Sequence, residues 1–542
     1  VRSSATDEKI NEKQGKKTFL SQVVSRYNMS NHHPIGMRFK IILLLIVAGI
    51  GLIIFYGGRY LRVQEYRKLA IANCSSCHLF PEPNLLDKDK WINGVLPEMA
   101  IRMGLAEPPM DFNGDPNLAM NYPQAPMISE EDWQKIRAYY YYAAPKKPLP
   151  QKRKLDLEVD LPGFKPQVLR AKPGILPLVS MLKFLPKTGQ FLVGMHGGSL
   201  FRYNLKDSLK PKDSLFMHSS PSFAGLTGDG DLEVLAMGQI NPNDYPIGTL
   251  IRVKESPDGK FFADPKIKQL KRPVHFNKAD FNGDGKTDYL ICQFGHLSGK
   301  LSLHLKVDTG YVEKILKPMP GARVTYCLDL DGDRKKDILA LMAQGDEKVV
   351  WFRNKGKGEF EEQELLRFPP IYGSSYLEVK DMNGDGLPDL IHASGDNLDY
   401  SYSLKRYHGV RIYLNQGKGV FKEQLFLPQH GTGMVMAEDF DQDGDVDLAS
   451  TAYFPDYESN PNEAFIYYEN TGNLRFKARS FSGASAGKWL VMEKGDFDAD
   501  GDVDLALGAM ALSNSEQLPE KTWQLYRKQG IEVLLLLNQL KK

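Results

Sequence analysis

The sequence predicts a multidomain chain: an N-terminal transmembrane helix, a small all-α domain, and an all-β propeller of seven blades. Three observations predict it. An uncharged run fills residues 41–58, a single CxxCH motif follows it, and an aspartate-rich nine-residue pattern recurs through the second half. At 542 residues the chain is long enough for two or three folded units.

The first 36 residues are polar, charged and aperiodic, and they read as disordered. Arg38 and Lys40 then lead into IILLLIVAGIGLIIFYGG, and residues 37–59 are the expected transmembrane anchor. A cleaved leader is the alternative, although no small-x-small site precedes Arg59.

Residues 60–146 form the next expected unit. Cys74-Ser75-Ser76-Cys77-His78 is a haem-attachment pattern: two thiols one helical turn apart meet two vinyl groups, and the adjacent histidine reaches the iron. Helices are expected over 64–72, 91–104 and 130–142, the last capped by Ser129. The sixth iron ligand is expected from methionine. Met127, in QAPMISEEDWQKIRAYY and 49 residues beyond His78, is the first choice, with Met99 or Met103 as alternatives and Met110 and Met120 as loop residues. The segment resembles a class I cytochrome c, in which a proline-flanked methionine loop precedes the last helix. That resemblance implies covalent haem c and electron transfer. Because such haem is attached outside the cytoplasmic membrane, it also implies an inner-membrane protein with its bulk on the periplasmic side. Residues 147–154, rich in proline and lysine, are a linker.

Residues 155–542 carry the repeats. The pattern reads DFNGDGKTD at 280–288, DLDGDRKKD at 329–337, DMNGDGLPD at 381–389, DFDQDGDVD at 439–447 and DFDADGDVD at 496–504. A decayed copy, GLTGDGDLE, lies at 225–233, and the starts are 55, 49, 52, 58 and 57 residues apart, the length of one four-stranded blade. In phase with it runs an aromatic strand followed by Asn-x-Gly, a hairpin signal, as in VVWFRNKGKGEF at 349–360. A further unit without the loop makes seven blades. The chain ends on a third strand from Ile531, so residues 155–168 are expected to supply the missing strand and close the ring.

The carboxylate spacing itself suits a hard cation: side-chain oxygens at positions 1, 3, 5 and 9, a backbone carbonyl at 7 and a turn glycine at 6. The expected Ca²⁺ ligands are Asp280, Asn282, Asp284, Lys286 and Asp288 in the first complete loop, and Asp329, Asp331, Asp333, Lys335 and Asp337 in the second. The third offers Asp381, Asn383, Asp385, Leu387 and Asp389, and the fourth Asp439, Asp441, Asp443, Asp445 and Asp447. The fifth offers Asp496, Asp498, Asp500, Asp502 and Asp504. Arg334 replaces the glycine in the second loop, and the decayed copy is not expected to bind. This half resembles the FG-GAP/VCBS repeat propellers, whose similar loops bind Ca²⁺.

Strand alternation sends the remaining long loops to the opposite rim, bringing His392, Asp396, Tyr400, Tyr402, Lys405, His408, His430, Tyr453 and Asp456 there as candidates for recognition. A net charge of +2 gives no basic face for nucleic acid. Cys292 and Cys327 sit in apolar runs and read as buried hydrophobes, a disulfide being the alternative. No nucleophile elbow, phosphate loop or zinc signature is present, and no catalytic residue is assigned. Two readings follow. One is an electron-transfer protein whose propeller recognises a redox partner. The other is an oxidoreductase whose propeller face oxidises a sugar or alcohol, with haem as acceptor.

Overall fold

The computed structural model describes residues 34–107, 123, 125–153, 155–171, 174–255, 261–397, 403–512 and 518–540. The chain divides into two compact units, Val1–Glu65 and Tyr66–Lys542.

One helix, Pro34–Cys74, contains the uncharged run. Among the described residues no helix is long and apolar enough to cross a membrane. Further along the same helix stand Arg59, Arg62, Arg67 and Lys68. The expected transmembrane anchor at 37–59 is therefore corrected, and with it membrane partnership through that helix. The inner-membrane placement needed the anchor as well as the haem motif, and it falls with the anchor. Local apolarity was read over eighteen residues, whereas the element is a mixed helix more than twice that length.

The expected separate all-α cytochrome domain is corrected as well. Residues 66–146 belong to the same compact unit as the propeller. Beyond the long helix the described residues among them form short pieces: Pro83–Leu85, Lys88–Lys90, a π-turn at Trp91–Val95, Leu96–Arg102 and Glu130–Ala143. Two buried aromatics hold these together. Trp91 donates to the Pro83 carbonyl at 2.9 Å, Tyr140 donates to the Pro81 carbonyl at 2.9 Å, and their rings lie 4.3 Å apart. Ser129 caps the last helix by accepting from the Asp132 N–H at 3.1 Å.

Seven antiparallel sheets follow, each of four blade strands. Blades one to six are sequential hairpins, starting at Val179–Leu185, Pro221–Leu226, Pro273–Ala279, Ala322–Leu328, Ser374–Lys380 and Thr432–Glu438. Blade seven takes three strands from the chain end, Trp489–Gly495, Asp504–Ala509 and Ile531–Asn538, and its fourth from Phe164–Arg170. Leu169 pairs with Val533 and Phe164 with Asn538, so the ring closes as the missing strand required. A short strand, Leu157–Glu158, adds in parallel to blade six. The second strands of blades three to seven are buried along their whole length, as inner strands packed on both faces must be. Cys292 and Cys327 are free thiols within one apolar cluster, Cys292 fully buried.

Candidate functional site

The carboxylate loops connect the first and second strands of blades three to seven. Their last aspartate is buried and clamps two strands together. Asp288 accepts from Phe281 N at 3.0 Å and Lys306 N at 2.8 Å. Asp389 accepts from Met382 N at 2.9 Å and Asn415 N at 2.7 Å, and Asp504 from Phe497 N and Asn538 N, both at 2.7 Å. The asparagine of the in-phase motif is the other half of the clamp. Asn415 donates its side-chain amide to the Pro388 carbonyl at 3.0 Å and accepts from Gly417 N at 2.9 Å. Asn354 and Asn470 repeat both contacts. Sequence reasoning took this asparagine as a turn residue only; its constant phase with the aspartates was the signal that the two act together.

Positions 1, 3 and 5 face outward. Carboxylate oxygens lie within 4.8 Å of one another in three groups: Asp329, Asp331 and Asp333; Asp439, Asp441 and Asp447; and Asp496, Asp498 and Asp500. Asp439 Oδ1 is buried without a hydrogen-bond partner, and burial raises the Asp447 carboxyl to about 7. Such crowding fits a cation of the Ca²⁺ type. In the loops at 280 and 381 the amides of Asn282 and Asn383 instead donate to Asp284 and Asp385, at 3.2 and 2.9 Å. The 329 loop brings its own cations: Arg353 pairs with Asp331, and Lys335 with Asp333 at 2.8 Å. In the decayed loop Glu233 is fully buried and paired with Lys278 at 2.8 Å.

The rim opposite is occupied. Most of the residues expected there for recognition are buried, with His392 Nδ1 and His408 Nε2 left without a hydrogen-bond partner. His392 stacks on Phe368 at 4.1 Å and shares a 2.9 Å hydrogen bond with Ser374. His408 is fully buried and accepts from Gly431 N at 3.3 Å. Tyr453 donates to the Met510 carbonyl at 3.0 Å, Asp456 accepts from Ser459 N at 3.0 Å, and His430 lies 3.2 Å from Glu463. Tyr400 and Tyr402 lie outside the described residues, as do Met110 and Met120.

What covers the rim of blades three to five is the CxxCH segment, and between them lies a cavity of about 630 Å³. The long helix ends at Cys74, and the motif turns across the cavity's mouth. Cys74, Cys77, His78, Met99, Met103 and Met127 line one wall with Trp91, Trp133 and Tyr140. Gln344, Asp346, Glu347, Asp396, Asn397, Lys405 and His296 line the other. Arg367 ties the two, donating to the Cys77 carbonyl at 3.4 Å and to Asp346 at 2.7 Å. All four sequence-predicted haem residues thus meet at one cavity, together with both alternative methionines. Met127 is 54% exposed, and its N–H donates to the Met103 carbonyl at 3.0 Å, which holds the two segments side by side. His78 donates from Nδ1 to the Leu79 carbonyl at 2.9 Å, which leaves Nε2 with its lone pair for a metal. Burial lowers the His78 pKa, keeping the ring neutral, and pushes the Cys74 thiol up to about 11. Two free thiols, an imidazole with one nitrogen held, soft sulfur donors and an aromatic wall together fit a covalently held haem.

Residues 329–392 and 439–507 match the FG-GAP-like repeat, and the chain carries these repeats in a seven-bladed β-propeller. Among solved structures it is similar to the N-terminal domain of Nup159, at 12% identity over 71% of this chain and 98% of that one, with a TM-score of 0.40. It is also similar to virginiamycin B lyase from Staphylococcus aureus, at 12% identity over 69% and 99% of the two chains, with a TM-score of 0.41. A streptogramin B lyase scores 0.43 at 11% identity, over 69% and 97%. At these scores the likeness carries no functional argument.

Proposed function

We propose that the protein is a c-type haem electron carrier whose Ca²⁺-braced propeller serves as the platform for the haem and for recognition of a redox partner. One observation carries the reading: Cys74, Cys77, His78 and three methionines converge on a single cavity floored by the propeller. Cys74 and Cys77 would hold haem covalently, and His78 together with Met127, or with Met99 or Met103, would supply the side-chain donors to its iron. The bound group supplies one-electron chemistry; methionine ligation raises its potential. The chain's own residues orient it. Leu79 fixes the imidazole, and Arg367 holds the Cys77 backbone against the propeller. Ca²⁺ in the aspartate loops offsets repulsion among their carboxylates.

The test is spectroscopic. Protein matured with a haem-attachment system should retain haem through acid–acetone extraction, and Cys74→Ala with Cys77→Ala should release it. Met127→Ala should remove the methionine–iron band in the red, or leave it if Met99 or Met103 is the ligand. Haem that extracts freely from the unaltered chain would overturn the reading.

A further inference from the structure

His78 shares the cavity with a second imidazole, His296, which comes from the propeller. It stands in the loop 294–299, between the second and third strands of blade three. That loop is held from several sides. The Asp244 carboxylate, from blade two, accepts from the N–H groups of His296, Leu297 and Ser298 at 2.8, 2.9 and 3.0 Å. Arg272 donates to the Gly295 carbonyl at 2.5 Å and to the Ile240 carbonyl at 3.0 Å. Lys271 donates to Ser298 Oγ at 2.7 Å. Gly295 turns at φ +62°, where an added Cβ would collide with the Ser298 carbonyl, so glycine is required.

These bonds fix the backbone, and none of them uses the imidazole. The ring is half-buried on the cavity wall. Its Nδ1 is enclosed in protein, so the edge that carries Nε2 is the one turned to the cavity. The charges acting on the ring locate it: Asp244 and Arg272 from the propeller, and Arg102 from the CxxCH segment. Arg102 ends the helix Leu96–Arg102, which carries Met99 and leads into Met103. The charges acting on His78 are others, Asp346 and Arg367. The two imidazoles thus reach the cavity from different sides, and His296 stands on the side of the methionines. Burial keeps both rings neutral, with a lone pair for a metal. A braced backbone, a neutral ring and a carboxylate charge close by are what a metal-ligating histidine needs.

We propose that His296 is a second nitrogen donor for the haem iron, taking the axial place opposite His78 whenever the methionine leaves it. The exchange breaks an iron–sulfur bond and forms an iron–nitrogen bond. Both donors are neutral, so no proton or electron moves with it. Methionine ligation raises the potential, so exchange for imidazole lowers it. The propeller is then part of the redox centre as well as its platform.

The inference rests on the haem reading, and the experiment separates the two. Holoprotein carrying Met99→Ala, Met103→Ala and Met127→Ala is read in the ferric form by absorption and electron paramagnetic resonance. It should lack the methionine–iron band yet stay low-spin, with the signature of two axial imidazoles. Adding His296→Ala should convert it to high-spin haem and tighten cyanide binding tenfold or more, because no imidazole has to be displaced. If the triple variant fails to fold, alkylating the methionines of the unaltered holoprotein with iodoacetate makes the same comparison, and pulsed resonance counts the axial imidazole nitrogens. High-spin haem while His296 is present, or low-spin haem that persists after His296→Ala, would overturn the inference and leave the electron-carrier reading standing. Haem that extracts freely from the unaltered chain would overturn both.

Discussion

His78 and Glu347 face one cavity from opposite walls, and burial acts on both by disfavouring charge. Glu347 is 2% exposed, and burial raises its carboxyl to about 7 against an ordinary 4.5, with the N–H groups of Ser374 and Gly373 and the charge of Lys405 opposing the shift. Between those two values the folded protein holds a proton that the unfolded chain has lost. Stability therefore falls as pH rises from about 4.5 to about 7, and the loss is complete above that. Glu347→Gln mimics the protonated form. It should melt with the unaltered protein at pH 5 and be the more stable of the two at pH 8, by at most about 3 kcal/mol. Thermal unfolding across that range checks it; equal pH profiles would show that Glu347 stays ionised. At this scale local spacing singled out Cys74, Cys77 and His78, the cytochrome c resemblance added Met127, and all four line the cavity. Glu347 and His296 carry no local pattern, because their meaning comes from the chain that folds over them. The histidines of the rim misled for the same reason. His392 and His408 stand in polar loops by sequence, yet the fold buries both completely.

Elements repeat here, and repetition is what made the propeller legible. An aspartate loop every fifty or so residues, with an asparagine hairpin in phase, specifies strand order, blade number and the outward face of the loops. The clamp between the motifs needed coordinates, since Asp337 meets Asn354 across 17 residues and Asp504 meets Asn538 across 34. The N-terminal helix shows the opposite case. Its apolar run was legible, but an element's length and company are set beyond any local window. Among the loops, that at 329 should be the weakest calcium site, because Arg353 already occupies Asp331 and Lys335 occupies Asp333. Arg353→Ala frees an exposed carboxylate cluster and should tighten that loop's Ca²⁺ affinity about tenfold, read by equilibrium dialysis as added uptake at fixed free calcium. Asp439→Asn should remove one bound ion and lower the melting temperature only when calcium is present. Unchanged uptake in both variants would refute cation binding at these loops.

At the scale of the whole molecule, the chain makes two long returns. Phe164–Arg170 crosses to the last blade and closes the ring, which the missing strand foretold. The linker before it makes the second, which nothing local foretold. Gln151 donates to the His408 carbonyl at 2.7 Å, and Arg153 pairs with Glu463, a carboxylate with no exposed surface. Glu463 also accepts from Asp456 N at 2.7 Å and lies 3.2 Å from the His430 ring. Arg153 is thus the cation that neutralises a buried charge, and it straps the CxxCH segment to the rim it covers. Removing one partner of a buried pair leaves the other uncompensated, which costs about 3–5 kcal/mol. The low end applies, since Arg153 is 22% exposed. Arg153→Ala should destabilise by about 3 kcal/mol at pH 8 and expose residues 147–153 to limited proteolysis. The defect should shrink toward acid. Burial, helped by the Arg153 charge, holds His430 down to about 4. Removing the arginine lifts the second of these causes and moves His430 back toward its ordinary value, so the variant loses less stability than the unaltered protein as pH falls below about 6.5, and the defect narrows there. Glu463→Gln added to Arg153→Ala removes the stranded charge and should recover most of the loss at pH 8. A single variant that melts like the unaltered protein, with the linker no more readily cut, would mean that the strap holds by its backbone and not by this pair.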